Sequence, residues 1–315
     1  YCVLEVGIED PDEPKDPETP HFIPAYSQKV KASKEFQTFQ FDHSFVLNSL
    51  KSSMEGYVFH NQPLDTDDLL EQTVKLFNSC KTSLELFDML HNMRAYDDST
   101  YAHSLNVALI CRRIGKWLKV DAATLDTLTL CGLLHDIGKL KIPDEILNKP
   151  GKYTDEEFDL VKRHTKFGYE LLKTLNIDPH IKKAALLHHE RCDGSGYPLK
   201  ATQKDLDDFS MVVAIADVYD AMTAARSYRA PLCPFQVIER FEQEGLQKYK
   251  PKFILTFLQH IASTYQNNRV LLSNGQSANI VMLNQQHLAR PIVQLNDNSC
   301  IDLSTRLDLH IQSIL

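Results

Sequence analysis

Between about residues 25 and 262 the apolar side chains recur at three- and four-residue intervals with little to interrupt them. Val107, Ile110, Ile114, Trp117 and Leu118 form one such series, and Phe158, Val161, Gly168, Leu171 and Leu172 another. This spacing lines one face of an α-helix. Chain breakers are scarce, 11 Gly and 14 Pro in 315 residues, where the usual combined share is about 12%. A mainly α fold built as a stack of helices is therefore expected. One helix start is marked clearly: Thr154 and Glu157 have capping-box spacing, just after the breaker Lys149-Pro150-Gly151.

The two ends of the chain read differently. Residues 5–20 place Pro11, Pro14, Pro17 and Pro20 among acidic side chains, and such a stretch reads as a solvated linker because proline breaks both helix and sheet ladders. The apolar Tyr1 to Val6 before it could be the last strand of a preceding domain. Past residue 268 the helical period gives way to short apolar runs, Val270–Leu272, Ala278–Leu283, Ile292–Leu295 and Ile301–Leu303, separated by Asn274-Gly275 and by Asn296 to Ser299. These predict a small C-terminal β appendage. The expected organisation is an acidic, proline-rich linker over 1–20, an N-terminal helical region over 21–94, a principal helical domain over 95–265 and a β-rich tail over 266–315.

Charge and cysteine content narrow the function classes. Of the net charge of −8, residues 1–20 supply −6, so the remaining chain is close to neutral. It shows no basic face suited to long nucleic acid, while a small anionic substrate remains compatible. The longest apolar run, Met211 to Ala216, is far below the roughly 18 residues that span a bilayer. No basic-then-apolar leader follows Tyr1, and the 7 cysteines include no C-x-x-C pair. Reduced thiols and a cytoplasmic location are expected.

Six of the 13 histidines fall between 103 and 189. His103, His135, His164, His188 and His189 stand in apolar or helix-terminal contexts, together with Asp136 at the end of an apolar run and Asp217 inside another. A lone buried aspartate is costly, and a cation is the usual compensation. The gaps from 103 to 135, 135 to 164, 164 to 188 and 189 to 217 are 32, 29, 24 and 28 residues. Each suits one helix plus a loop, so the seven side chains could converge at a bundle centre. Helical neighbours point about 100° apart, so His135 with Asp136, and His188 with His189, are expected to straddle two metals. Nitrogen and oxygen donors without thiolate favour Fe or Mn, with Zn, Mg or Ni as further candidates. His180 and the other histidines read as ordinary structural residues.

These residues resemble the HD-GYP phosphodiesterases, a branch of the HD-domain metal phosphohydrolases. The resemblance runs through Tyr101-Ala-His103, Leu134-His135-Asp136-Ile-Gly138-Lys139, Ile142-Pro143-Asp144-Glu145, Lys162-Arg163-His164 and His188-His189-Glu190-Arg191. It continues through Asp193-Gly194-Ser195-Gly196-Tyr197-Pro198, Ala216-Asp217-Val-Tyr-Asp220 and Arg226-Ser-Tyr228-Arg229. It implies an all-α HD-type bundle holding two or three metals. It further implies hydrolysis of cyclic di-GMP to linear pGpG, in some members onward to GMP, with signalling partners such as diguanylate cyclase domains or a second copy of the chain. By position, His103, His135, Asp136, His164, His188, His189 and Asp217 correspond to metal ligands. Lys139, Gly196, Tyr197, Pro198, Arg226, Tyr228 and Arg229 correspond to substrate-holding residues. The implied chemistry needs no protein nucleophile: a metal-bridging water, acidified to hydroxide, attacks phosphorus in line. Asp136 would bridge the ions while Lys139 donates to a phosphate oxygen. Taken alone, Lys139, Arg226 and Arg229 would read as solvated helix surface. The two glycines of 193–196 permit a close backbone approach to a ligand, and Tyr197 offers a ring to a guanine.

Two positions depart from the family pattern. Members with three metals carry a glutamate one helical turn before the first histidine, where this chain has Ser99, so two metals are expected. Cys192 stands where many relatives have an aromatic residue. Two other readings stay open: a non-catalytic cyclic di-GMP sensor, and an HD phosphohydrolase for another cyclic dinucleotide.

Overall fold

The computed structural model describes residues 25–93, 99–149, 151–224 and 232–315. The linker and strand readings for 1–20 lie outside that range, as does the segment with Arg226, Tyr228 and Arg229. The helices run α1 Ala25–Ala32, α2 Lys34–His60, α3 Thr66–Ser79, α4 Ser83–Met93, α5 Thr100–Trp117 and α6 Ala122–Leu134. After a 3-10 turn, Ile137–Lys141, come α7 Asp144–Leu147, α8 Asp155–Lys162, α9 His164–Leu172, α10 Pro179–Leu187, α11 Asp208–Thr223, α12 Pro234–Glu244 and α13 Pro251–Thr264. The mainly α expectation holds.

Helix starts follow side chains able to satisfy the first free amides. Ser99 caps α5 through Ala102 N, Asp121 caps α6, and Asp207 caps α11 through Ser210 N. The expected capping box is present, with Thr154 and Glu157 each accepting from the other's backbone amide. Ser99 precedes the first turn of α5, and its hydroxyl caps that turn by accepting from Ala102 N.

Helices α5, α6, α10 and α11 pack against one another at the centre. Their approach is close: a Cβ on Gly132 would lie 2.7 Å from Ala108 Cα, so only glycine lets α6 sit on α5 at this point. Helix α11 is buried on every side from Ser210 to Thr223, as a helix without a polar face must be. That burial carries Asp217 and Asp220 into the interior. Buried apolar side chains form a contiguous core from Phe36 in α2 to Ile311 near the C-terminus.

The C-terminal appendage is a five-stranded antiparallel sheet. Its strands are β1 Arg269–Leu272, β2 Ser277–Met282, β3 Ile292–Leu295, β4 Cys300–Asp302 and β5 Ile311–Ile314, in the order β4-β3-β2-β1-β5. Four correspond to the apolar runs in the sequence. The fifth, β5, pairs with β1 and is a long-range partner that local pattern does not announce. Asn274-Gly275 makes the β1–β2 turn, with Gly275 at φ +82°, a backbone angle that glycine accepts without strain.

Candidate metal centre

Each histidine arrives from a helix end. His135 and His188 are the C-terminal cap residues of α6 and α10, and His164 opens α9. His103 lies in the first turn of α5 and Asp217 in mid-α11. Asp136 precedes the 3-10 turn, which Gly138 presses against α9: a Cβ there would lie 1.9 Å from His164 O and 2.4 Å from Gly168 N. That contact sets Asp136 beside His164.

The seven expected ligands converge in two groups, Asp136, His164, His188 and His189 in one, and His103, His135 and Asp217 in the other, with donor atoms inside each group within 4.8 Å of one another. Asp136 faces both. Its Oδ1 is 3.4 Å from His164 Nε2 and 3.6 Å from His188 Nε2, while its Oδ2 is 3.3 Å from His135 Nε2 and 3.6 Å from His103 Nε2. Asp217 also spans them, with Oδ1 3.0 Å from His103 Nε2 and Oδ2 3.7 Å from His189 Nδ1. His188 and His189 both stand in the first group, and His189 Nδ1 also faces Asp217 of the second. His189 lies beyond the end of α10, where the helical angle between neighbours no longer applies, and the two rings sit 4.1 Å apart.

Protonation follows from the partners. Nδ1 of His135, His164 and His188 lies 2.7, 2.7 and 2.9 Å from the carbonyl oxygens of Gly132, Val161 and Ala184. A carbonyl only accepts, so each Nδ1 carries the proton and each Nε2 presents a lone pair to the centre. Burial lowers His164 to about 3, lowers His188 and drives His189 well below the usual imidazole range. Neutral imidazole lone pairs therefore face carboxylate oxygens, and His164 Nε2 faces His188 Nε2 at 3.2 Å. Among the described residues, His135 Nε2, Asp136 Oδ1 and Asp217 Oδ2 are buried without a hydrogen-bond partner. Acceptors pointed at acceptors in a dry interior are unfavourable unless cations lie between them. The donor set fits divalent metal.

The acids are held ionised. Burial alone would raise Asp136 and Asp217, but the polar neighbours His135 and Lys139 hold the first far below the carboxylate range, and the hydrogen bond with His103 holds the second below it. Lys139 Nζ lies 2.5 Å from Asp136 Oδ2. Asp220, which sequence reasoning passed over as a site residue, takes His103 Nδ1 at 2.8 Å. Its signal was a second acid three residues after Asp217 in an apolar helix. Against the opposing effect of burial, Asp217 and Asp220 together raise His103 to about 10. Asp220 thus orients the imidazole, as a carboxylate behind a metal-bound histidine commonly does.

The 193–198 segment supports the centre from behind. Glu190 is buried and accepts from Leu199 N at 2.6 Å and Ala201 N at 3.0 Å, tying the loop back on itself. Gly196 makes a close approach to its own chain: a Cβ would lie 2.4 Å from Glu190 Cα. Tyr197 stacks on His189 with ring centroids 4.7 Å apart, and Pro198 beside it is half-buried. His180 stands apart from the centre, with Nδ1 2.9 Å from Asp207 Oδ2. Beside the cluster lies a cleft with room for about 310 Å³ of solvent, onto which His103, Lys139 and Asp220 open.

The HD domain family is matched over residues 68–253, and the chain belongs to that family. A cyclic di-GMP phosphodiesterase of Pseudomonas aeruginosa is 33% identical over 207 residues, 65% of this chain and 50% of that protein. A cyclic di-GMP phosphodiesterase of Thermotoga maritima is 35% identical over 178 residues, 56% of this chain and 48% of that one. A 3'3'-cGAMP-specific phosphodiesterase of Vibrio cholerae is 34% identical over 183 residues, 57% of this chain and 35% of that protein. The chain thus spans half or less of the length of these relatives. In fold it is similar to an HDG"Y"P protein from Bdellovibrio bacteriovorus, with a TM-score of 0.58 at 19% identity over 75% of this chain and 78% of that one. Among the described residues, no helix is long and apolar enough to cross a membrane.

Proposed function

We propose that this chain is a metal-dependent phosphodiesterase that opens cyclic di-GMP to linear pGpG, with further cleavage to GMP as a second step. The observation that carries this reading is Asp136, whose two buried oxygens face the two histidine groups separately. Two divalent ions, Fe or Mn in preference to Zn, Mg or Ni, would supply Lewis acidity to phosphate oxygens and an acidified water when bound.

The chain's own residues account for the remainder. His135, His164 and His188 are fixed as Nε2 donors by their carbonyl partners, and Asp220 orients His103. Lys139 faces the cleft and places its ammonium within reach of a non-bridging phosphate oxygen while neutralising Asp136. Tyr197 buttresses His189. Phosphate and base contacts from Gly196, Pro198, Arg226, Tyr228 and Arg229 belong to the same proposal. The kinship with 3'3'-cGAMP-specific enzymes supports a second reading, hydrolysis of a mixed cyclic dinucleotide.

The deciding experiment is anaerobic purification with elemental analysis, then incubation with cyclic di-GMP and 3'3'-cGAMP and chromatography of the products. Loss of cyclic di-GMP with appearance of pGpG, abolished by chelator, is the expected result. Binding without turnover in metal-replete protein would establish a sensor instead.

A further inference from the structure

One wall of the cleft beside the metal centre comes from none of the motifs that carry the chemistry. It is built by Glu55 and Phe59, which line it from one face of α2, four residues apart. Phe59 is 56% exposed, a large aromatic ring left open at the mouth of a cleft, with Lys141 Nζ 5.6 Å from its centroid. Glu55 is half-buried and held in place by the Tyr101 hydroxyl, which donates to its Oε1 at 2.9 Å. Asp144, on α7, adds a second carboxylate to the lining.

Carboxylates lining a cleft that receives a phosphodiester are electrostatically unfavourable, unless the substrate brings donors to meet them. A guanine does so. Its Watson–Crick edge carries N1–H and the N2 amino group side by side, which a carboxylate accepts together. Adenine offers one amino donor next to a ring lone pair, which a carboxylate repels. An exposed phenyl ring next to that carboxylate supplies a stacking face that any base can use.

We propose that Glu55 and Phe59 form a base-recognition subsite, in which Phe59 stacks on one base of the substrate and Glu55 selects guanine over adenine at that place. The subsite rests on the reading of this chain as a cyclic dinucleotide phosphodiesterase and narrows it to substrates with at least one guanine. Glu55 acts on binding, so its contribution falls on discrimination between bases and leaves the metal centre intact.

The test uses metal-loaded wild type, Glu55→Gln and Phe59→Ala. In each, kcat/KM and calorimetric affinity are measured for cyclic di-GMP, 3'3'-cGAMP and cyclic di-AMP, with metal content by elemental analysis. Phe59→Ala is expected to weaken all three ligands by about tenfold or more, since stacking is indifferent to base identity. Glu55→Gln is expected to weaken cyclic di-GMP by about tenfold and to leave cyclic di-AMP unchanged or improved, so that the guanine preference collapses at constant metal content. Parallel loss for both homodinucleotides in Glu55→Gln, unchanged affinities in both variants, or a fall in metal content overturns the subsite. Wild-type protein that binds cyclic di-GMP without hydrolysing it defeats the phosphodiesterase reading alone, because the calorimetric comparison still decides the wall.

Discussion

At the scale of single residues, Asp136 and His180 make the sharpest contrast. Both are polar neighbours of apolar sequence, yet Asp136 is fully buried among four imidazoles and Lys139, while His180 pairs with Asp207 and stacks on Phe209 at 4.2 Å. Asp136→Ala is expected to abolish turnover and strip the protein of metal, since it removes the carboxylate that faces both groups. His180→Ala should leave metal content and rate as they were. Elemental analysis of the two variants side by side checks this, and equal losses would mean that the centre has been assigned to the wrong histidines. Ser99 adds a count. Its hydroxyl caps α5 and brings no charge toward His103, so about two ions per chain are expected from the two ligand groups. Three tightly bound ions would contradict the binuclear assignment.

At the scale of elements, the 3-10 turn after Asp136 depends on Gly138. A methyl group there would collide with the backbone of α9, which cannot step aside as a flexible side chain could. Gly138→Ala should therefore cost at least the 1–3 kcal/mol that is roughly typical of overpacking, read as a lower urea midpoint, with loss of metal as Asp136 moves from His164. The docking of α1 on α4 offers a different test. Tyr26 donates to Asp88 at 2.5 Å, with Ser27 bonded to Asn92 alongside. Burial pushes the Asp88 carboxyl up to about 7, with the Tyr26 hydrogen bond acting in the opposite direction. The folded value lies above the unfolded one, so this group's stabilising contribution is complete below the unfolded pKa and declines as pH rises towards 7. Between about pH 4 and pH 7 wild type should lose up to about 1.4 kcal/mol per pH unit relative to Asp88→Asn. Parallel stability curves for the two proteins over that range would show that Asp88 is not buried as described.

At the scale of the whole molecule, the centre ties α5, α6, α9, α10 and α11 together through side chains that repel one another without a cation. Ligands that bind only the folded state stabilise it by mass action, about 2.7 kcal/mol at a hundredfold excess over Kd. Chelation is thus expected to lower the melting temperature of the entire helical body, and restoring Mn or Fe to recover it. A calorimetric trace unchanged by chelator would mean that the cluster tolerates its buried lone pairs without metal.

How much of this was written in the chain differs with distance. Helical periodicity, the capping box at Thr154 and four of the five strands were legible, because these depend on neighbours within a few residues. That the seven candidate ligands belong together was legible, because histidines and acids in apolar surroundings are costly wherever they occur, and in the fold they do converge. Their pairing was not. The same-group placement of His188 and His189 depends on where α10 ends against α9 and α11. The role of Gly196 in packing against its own backbone, the clamp of Glu190 on the 199–201 amides and the hold of Asp220 on His103 likewise arise from segments brought together across the fold. The α2 wall of the cleft is the clearest case, for Glu55 and Phe59 lie 48 and 44 residues before His103 in an unremarkable amphipathic helix. Local sequence determines which residues need burial or charge compensation; only tertiary packing decides which partners supply it, because that choice is made by contacts whose separation along the chain leaves no local trace.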